Sequence, residues 1–124
     1  LSGLVERGFQ VGSELGYPTA NIHPNSEYKL IPKDGVYVVK VRIDKEPKEW
    51  YGMLNIGRRP TIENGDNKTI EVHVLDYQRN LYNQQITLEF ITRLRDEKKF
   101  KNRGELVNQI RKDEIMVRNI IAEL

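Results

Sequence analysis

No cysteine occurs among the 124 residues. That excludes a disulfide scaffold, a zinc-thiolate centre and a cysteine nucleophile, and it fits a reducing cytoplasm. No apolar run approaches the roughly 18 residues that a membrane-spanning helix needs. The N-terminus carries no basic segment followed by an apolar one, so no secretory signal is visible. It also lacks an initiator Met and starts inside a strand-like run, Leu1-Ser-Gly-Leu-Val5, as expected of a piece of a longer protein. Charge of one sign is scarce: 20 Lys and Arg face 18 Asp and Glu, for a net charge of +2. A nucleic-acid surface would need a concentrated basic stripe, and the densest basic stretch, residues 93–103, also holds Asp96 and Glu97. The usual nucleotide signatures are missing: no G-x-x-x-x-G-K-[ST], no G-x-G-x-x-G opening a helix, and no protein-kinase catalytic loop.

What is present suits one domain spanning residues 1–124, with strands first and a helix last. Residues 3–6 look like the end of a strand. Residues 7–25 hold Gly8, Gly12, Gly16, Pro18 and Pro24 with little periodicity and read as a long loop; loops of that length in small domains tend to be functional. Residues 35–43 are rich in β-branched and aromatic side chains and read as a strand, and residues 49–56 as its return. A polar loop should follow, with Asn64-Gly65-Asp66-Asn67 as its turn. Residues 70–77 alternate, with Ile70, Val72 and Val74 on one face and Glu71, His73 and Leu75 on the other. Residues 84–94 give another strand, with Ile86, Leu88, Phe90 and Thr92 on one side. Asn102 and Glu105 have capping-box spacing at a helix start, and the apolar residues from Leu106 to Leu124 follow helical spacing. Asp113 is placed either to interrupt that helix or to cap a second one. Trp50, at a strand start, is read as core or barrel-end packing, with no ligand role.

Three groups could carry chemistry. Gly8 and Gly12 leave room for backbone to approach a phosphate, although two glycines alone are ordinary turn geometry. In Leu15-Gly-Tyr-Pro-Thr-Ala-Asn21, Pro18 biases Tyr17 toward extended backbone. In an extended run Thr19 and Asn21 point the same way, and a hydroxyl with a side-chain carbonyl suits a hard cation such as Mg²⁺. Local hydrogen bonding in a turn accounts for the same pair. Glu71 shares a strand face with His73, and from pattern alone that face is as well explained by solvent.

These motifs occur in a series that resembles the riboflavin kinase family, including the kinase module of bacterial bifunctional riboflavin kinase/FAD synthetases. The series runs Gly3-x4-Gly8-x3-Gly12, Leu15-Gly-Tyr-Pro-Thr-Ala-Asn21, Ile31-Pro-x-x-Gly35-Val-Tyr37 and Asn55-Ile-Gly57-x-x-Pro60-Thr61. It continues with Glu71-Val-His73, Leu81-Tyr82 and Leu94-Arg95-x-Glu97-Lys98-x-Phe100, and so covers essentially the whole chain. The resemblance implies a mainly β fold: a six-stranded antiparallel Greek-key β-barrel with a C-terminal α-helical segment. It implies transfer of the γ-phosphoryl group of ATP to the 5′-hydroxyl of riboflavin, giving FMN and ADP with Mg²⁺. It assigns Glu71 as the catalytic glutamate and Thr19 and Asn21 as the Mg²⁺-ATP ligands. Gly8 and Gly12 fall in the phosphate loop, Val74, Asp76 and Tyr82 along the nucleotide, and Arg95, Lys98 and Phe100 near the flavin. ATP is expected under residues 8–21, and riboflavin on the opposite side, between the loop after Thr61 and residues 95–100. An FMN adenylyltransferase domain in the parent chain is implied as a partner, and neither nucleic acid nor membrane is expected. Two departures stand out. Ser13-Glu14 replaces a basic residue of the family, which weakens the expected grip on ATP. Asn83 replaces a glycine, a change that a left-handed turn tolerates.

Two rival readings stay open at the level of sequence. A barrel that binds flavin or nucleotide without catalysis would make no FMN. A nucleic-acid-binding barrel of the OB type would show stacked aromatics on one sheet face and a basic groove.

Overall fold

Strand-forming residues alternate in and out over most of this chain, and six such segments curl into a ring. The computed structural model describes residues 1–6, 16–25, 31–61 and 65–124, with backbone alone at 59–61 and 65–67. The strands are β1 (Ser2–Glu6), β2 (Ala20–Pro24), β3 (Gly35–Ile43), β4 (Glu49–Thr61), β5 (Gly65–Val74) and β6 (Gln85–Arg95); one helix follows, α1 (Arg103–Ala122). Their order around the barrel is β1-β2-β5-β4-β3-β6, closed, with every pairing antiparallel. The hairpins β3-β4-β5 with β6 returning beside β3 form a Greek key. β1 pairs with both β2 and β6, so closure leaves no free sheet edge.

Two apolar layers result. Inside the barrel lie Val5, Ile22, Val39, Val41, Leu54, Ile56, Ile70, Val72, Ile86 and Leu88, all buried. Outside it, Val38, Met53 and Leu75 meet Val117 of α1, with Ile91, Leu94, Ile110, Ile120 and Ile121 around them. β6 serves both layers, and its register against β3 shifts twice. Val38 and Val39 face Thr92 and Phe90, skipping Ile91; Val36 and Tyr37 face Arg95 and Arg93, skipping Leu94. A bulge of this kind re-aims the residues that follow it. Ile91 faces outward by simple alternation; the shift turns Thr92, expected on the inner face, outward as well, where it is exposed, and brings Leu94 beside Ile91 in the layer under the helix.

Other expectations need correction. Residues 7–25 are not one loop, because Ala20–Pro24 is strand β2. The polar loop after Ile56 is mostly ladder: β4 runs on to Thr61 opposite Gly65. Asp113 neither interrupts α1 nor caps a second helix. It lies mid-helix and 3% exposed, facing the barrel. The cap behaves as expected: the Glu105 backbone N–H donates to the Asn102 side chain at 2.9 Å, and the Glu105 carboxylate accepts from the Lys101 backbone at 3.1 Å. Trp50 packs edge-on against Tyr77, ring centroids 4.9 Å apart, beside the inner layer.

Candidate functional site

The ladder puts three polar residues in a row on the outer face. Asn21 of β2 faces Glu71 of β5, and Glu71 faces Asn55 of β4. Cross-strand partners project to the same side of a sheet. Ala20, between Thr19 and Asn21, is buried in the inner layer opposite Val72. Thr19 therefore leaves the chain one step before the ladder begins, on the side that Asn21 shares.

A first cleft of about 250 Å³ opens between this face and α1. Thr19, Glu71 and His73 line one side of it, and Arg95, Glu97, Lys98 and Phe100 another. Val36, Met53, Leu54, Leu106 and Ile110 supply apolar surface, and Asn55 and Asp113 polar groups. Mostly apolar walls with a few fixed polar groups suit a flat organic ligand. Arg95 is locked in place. Its Nε lies 3.0 Å from Asp113 Oδ1, one terminal nitrogen lies 2.8 Å from Asp113 Oδ2, and the other donates to the Asp96 carbonyl at 3.0 Å. Gln109 also donates to Asp113, at 3.0 Å. Lys98 is exposed, with Nζ 3.4 Å from the Gln109 side-chain oxygen. The Glu97 side chain lies against the backbone of Gly57, where a Cβ would displace its carboxylate.

A second cleft, about 320 Å³, lies across Thr19 from the first. Pro18, Thr19, Ala20, Val72 and Val74 line it together with residues 77–82, Tyr82 included. Asn83 takes φ 66°, the left-handed turn expected where the family carries glycine. Asp76 is placed apart from Val74 and Tyr82. It is exposed, and its carboxylate is forked onto Arg118 of α1 at 3.0 and 3.3 Å, beside a different surface depression. The hydrogen bond from Arg118 holds the Asp76 carboxyl below its ordinary range. Gly8, Gly12, Ser13 and Glu14 lie outside the described residues, as do residues 62–64 after Thr61.

Several site neighbours had no assigned role in the chemistry. His73 Nδ1 lies 2.7 Å from the Pro18 carbonyl, and its ring meets Tyr17 edge-on at 5.4 Å. The Tyr17 hydroxyl donates to Glu114 at 3.0 Å, and Arg118 Nε donates to the other Glu114 oxygen at 2.9 Å. Burial, then the bond to Glu114, pushes the Tyr17 phenol up; the bond from Arg118 pulls the Glu114 carboxyl down. Tyr17 and His73 stood inside the motif series, His73 as either a structural hydrogen-bonding residue or a support for the site, whereas Glu114 and Arg118 offered only the i,i+4 spacing of an ion pair on a helix. Asn55 and Glu97 stood in the motif series without an assigned role, and both line the first cleft.

Among the described residues no group of three or more His, Asp and Glu is placed to hold a metal ion. Mg²⁺ beside a nucleotide needs no such cage, because phosphates and water supply most of its ligands. The Thr19 hydroxyl at the seam of the two clefts, with Asn21 on the same face, is a donor set of the right kind.

A family model described as riboflavin kinase matches residues 1–121. A bifunctional riboflavin kinase/FMN adenylyltransferase of Haemophilus influenzae is 41% identical over 90% of this chain and 35% of its own length. The chain thus spans little more than a third of that relative. A Bacillus subtilis relative, 32% identical over 91% of this chain and 47% of its own, is named an RNA-binding riboflavin kinase. Among solved structures, one named as a macrolide-efflux protein from Streptococcus pneumoniae superposes with TM-score 0.85 at 34% identity, over 95% of this chain and 38% of that one. Riboflavin kinase from Trypanosoma brucei shares the fold, with TM-score 0.70 at 23% identity over 98% of this chain and 75% of that one.

Proposed function

The chain belongs to the riboflavin kinase family, and from that membership and its two joined clefts we propose that it phosphorylates riboflavin at the 5′-hydroxyl, using ATP. The observation that carries the reading is Thr19: it lines both clefts, and Glu71 stands in one of them. ATP occupies the second cleft along Val74 and Tyr82. The flavin occupies the first, against Phe100 and the apolar floor, with the Arg95–Asp113 pair as a fixed wall and Lys98 at the rim. Gly8 and Gly12 bring backbone to the phosphates. Asp76 contributes through the end of β5, since its carboxylate is committed to Arg118.

Thr19 and Asn21 would hold Mg²⁺ with the nucleotide, and the ion would supply charge neutralisation at the phosphate oxygens. Glu71 accepts a hydrogen bond from the ribityl 5′-hydroxyl and aims its oxygen at the γ-phosphorus. As the new P–O bond forms and the bond to ADP breaks, the hydroxyl proton passes to Glu71. An ordinary carboxylate is a weak base toward an alcohol, with a reference pKa of about 4.3, so orientation contributes more than basicity.

Several relatives of this chain are named as bifunctional, which supports an FMN adenylyltransferase domain in the parent protein. A substrate such as ATP supports a cytoplasmic location for the enzyme, and no described helix is long and apolar enough to cross a membrane.

Steady-state FMN formation by wild type, Glu71→Gln and Thr19→Ala tests the roles. Glu71→Gln is expected to bind both substrates and lose about 10²- to 10⁴-fold in kcat. Thr19→Ala is expected to raise the KM for Mg²⁺-ATP above all. A Glu71→Gln variant turning over at the wild-type rate overturns the assignment.

A further inference from the structure

The backbone ladder that holds the Thr19 segment stops one residue short of it. Ala20 pairs with Val72 and Asn21 with Glu71, and Thr19 lies outside both pairs. The next attachment is a side chain: His73 Nδ1, 2.7 Å from the carbonyl of Pro18. A carbonyl only accepts, so Nδ1 carries the proton in this contact. His73 is two residues beyond Glu71 on the same strand and the same face. One strand thus carries the proposed proton acceptor and the group that clamps the peptide just before Thr19.

We infer that His73 is a positioning residue for phosphoryl transfer, fixing the Thr19 hydroxyl relative to Glu71 through the Pro18 carbonyl. The inference rests on the proposed kinase reading. The clamp is one link of a closed ring of contacts. Tyr17, edge-on to the imidazole, is tied by its hydroxyl to Glu114; Glu114 is tied to Arg118; and Arg118 returns to Asp76, just past the end of β5. α1 therefore supports the loop from the side that the ladder does not reach. Errors of about 1 Å at a reacting centre can cost on the order of a hundredfold in rate, which makes a single clamp here consequential.

His73→Leu removes the donor, and His73→Asn keeps an N–H near the Nδ1 position. In His73→Leu the KM for Mg²⁺-ATP is expected to rise about fivefold or more and kcat to fall by a similar factor, while the KM for riboflavin moves less. His73→Asn should recover most of both. A readout independent of turnover is amide hydrogen exchange at Thr19 and Ala20, together with calorimetric binding of Mg²⁺-ADP. Exchange should quicken and binding weaken in His73→Leu, with both restored in His73→Asn. Tyr17→Phe, which deletes only a hydroxyl, should shift both in the same direction by a smaller factor and guards against a misfolded leucine variant. Unchanged exchange and nucleotide affinity in His73→Leu overturns the inference, as does an asparagine variant no better than leucine. If wild type makes no FMN, the kinase reading falls, while the exchange measurement still judges the clamp.

Discussion

Asp113 shows how a single side chain can belong to the fold and to the site together. Its carboxylate is 3% exposed and takes two nitrogens of Arg95 and one of Gln109. Removing one partner of such a pair strands the other charge away from water. Asp113→Ala is expected to lower unfolding free energy by about 3–5 kcal/mol, measured by denaturant titration. Replacing both partners, Arg95→Met with Asp113→Leu, should recover most of that loss, because two buried apolar groups leave no uncompensated charge. If Asp113→Ala unfolds like wild type, the pair is not what fixes this wall of the first cleft. From sequence, a charged residue inside a helical pattern reads as a break or a cap. Its partner lies 18 positions earlier on β6, and nothing local in either segment shows that the helix will lie against that part of the strand. Glu71 is the opposite case: its face was legible from alternation alone, but not what it faces, since Thr19 is brought to it by a strand pairing across some fifty residues.

The elements repeat this division between local and distant causes. The span of β3 and the start of β4 follow from runs of β-branched and aromatic residues, and the start of α1 from Asn102 and Glu105. β2 is five residues long, follows a Tyr-Pro step and is held by neighbours on both sides, so pairing rather than propensity makes it a strand. The extension of β4 and β5 beyond Ile56 has the same origin, a ladder running to Thr61 and Gly65. α1 is joined to the end of β5 by Arg118, and this joint titrates. The hydrogen bonds from Arg118 depress the carboxyls of Glu114 and Asp76 below their ordinary range in the folded chain. A depressed carboxyl stabilises the fold at pH above its unfolded value, and the contribution disappears as pH falls through the folded one. Glu114 matters more than Asp76, whose side chain is 69% exposed and therefore screened. Thermal unfolding from pH 7 down to about pH 3 should show wild type losing its margin over Arg118→Met as the solution acidifies. Parallel curves for the two proteins would show that the joint carries no differential charge energy.

At the scale of the whole molecule, the barrel supplies rigidity and the seam supplies chemistry. Closure buries one apolar layer inside, the outer face of β6 with α1 buries a second outside, and the two clefts share Thr19, in a segment that the ladder holds only in part. Antiparallel barrel and terminal helix were legible in the order of strand and helix signals, and the family motifs supplied strand number and connection. The meeting of the two clefts at Thr19 was not legible, because it depends on how the ring closes. The most direct measurement of the central claim is label transfer: the chain is incubated with riboflavin, Mg²⁺ and ATP labelled in its γ-phosphoryl group, and the products are separated. The label is expected in FMN, with ADP formed in equal amount and none of either without riboflavin. Labelled inorganic phosphate with no labelled FMN, or no turnover of ATP by a folded protein that binds both substrates, would contradict the account.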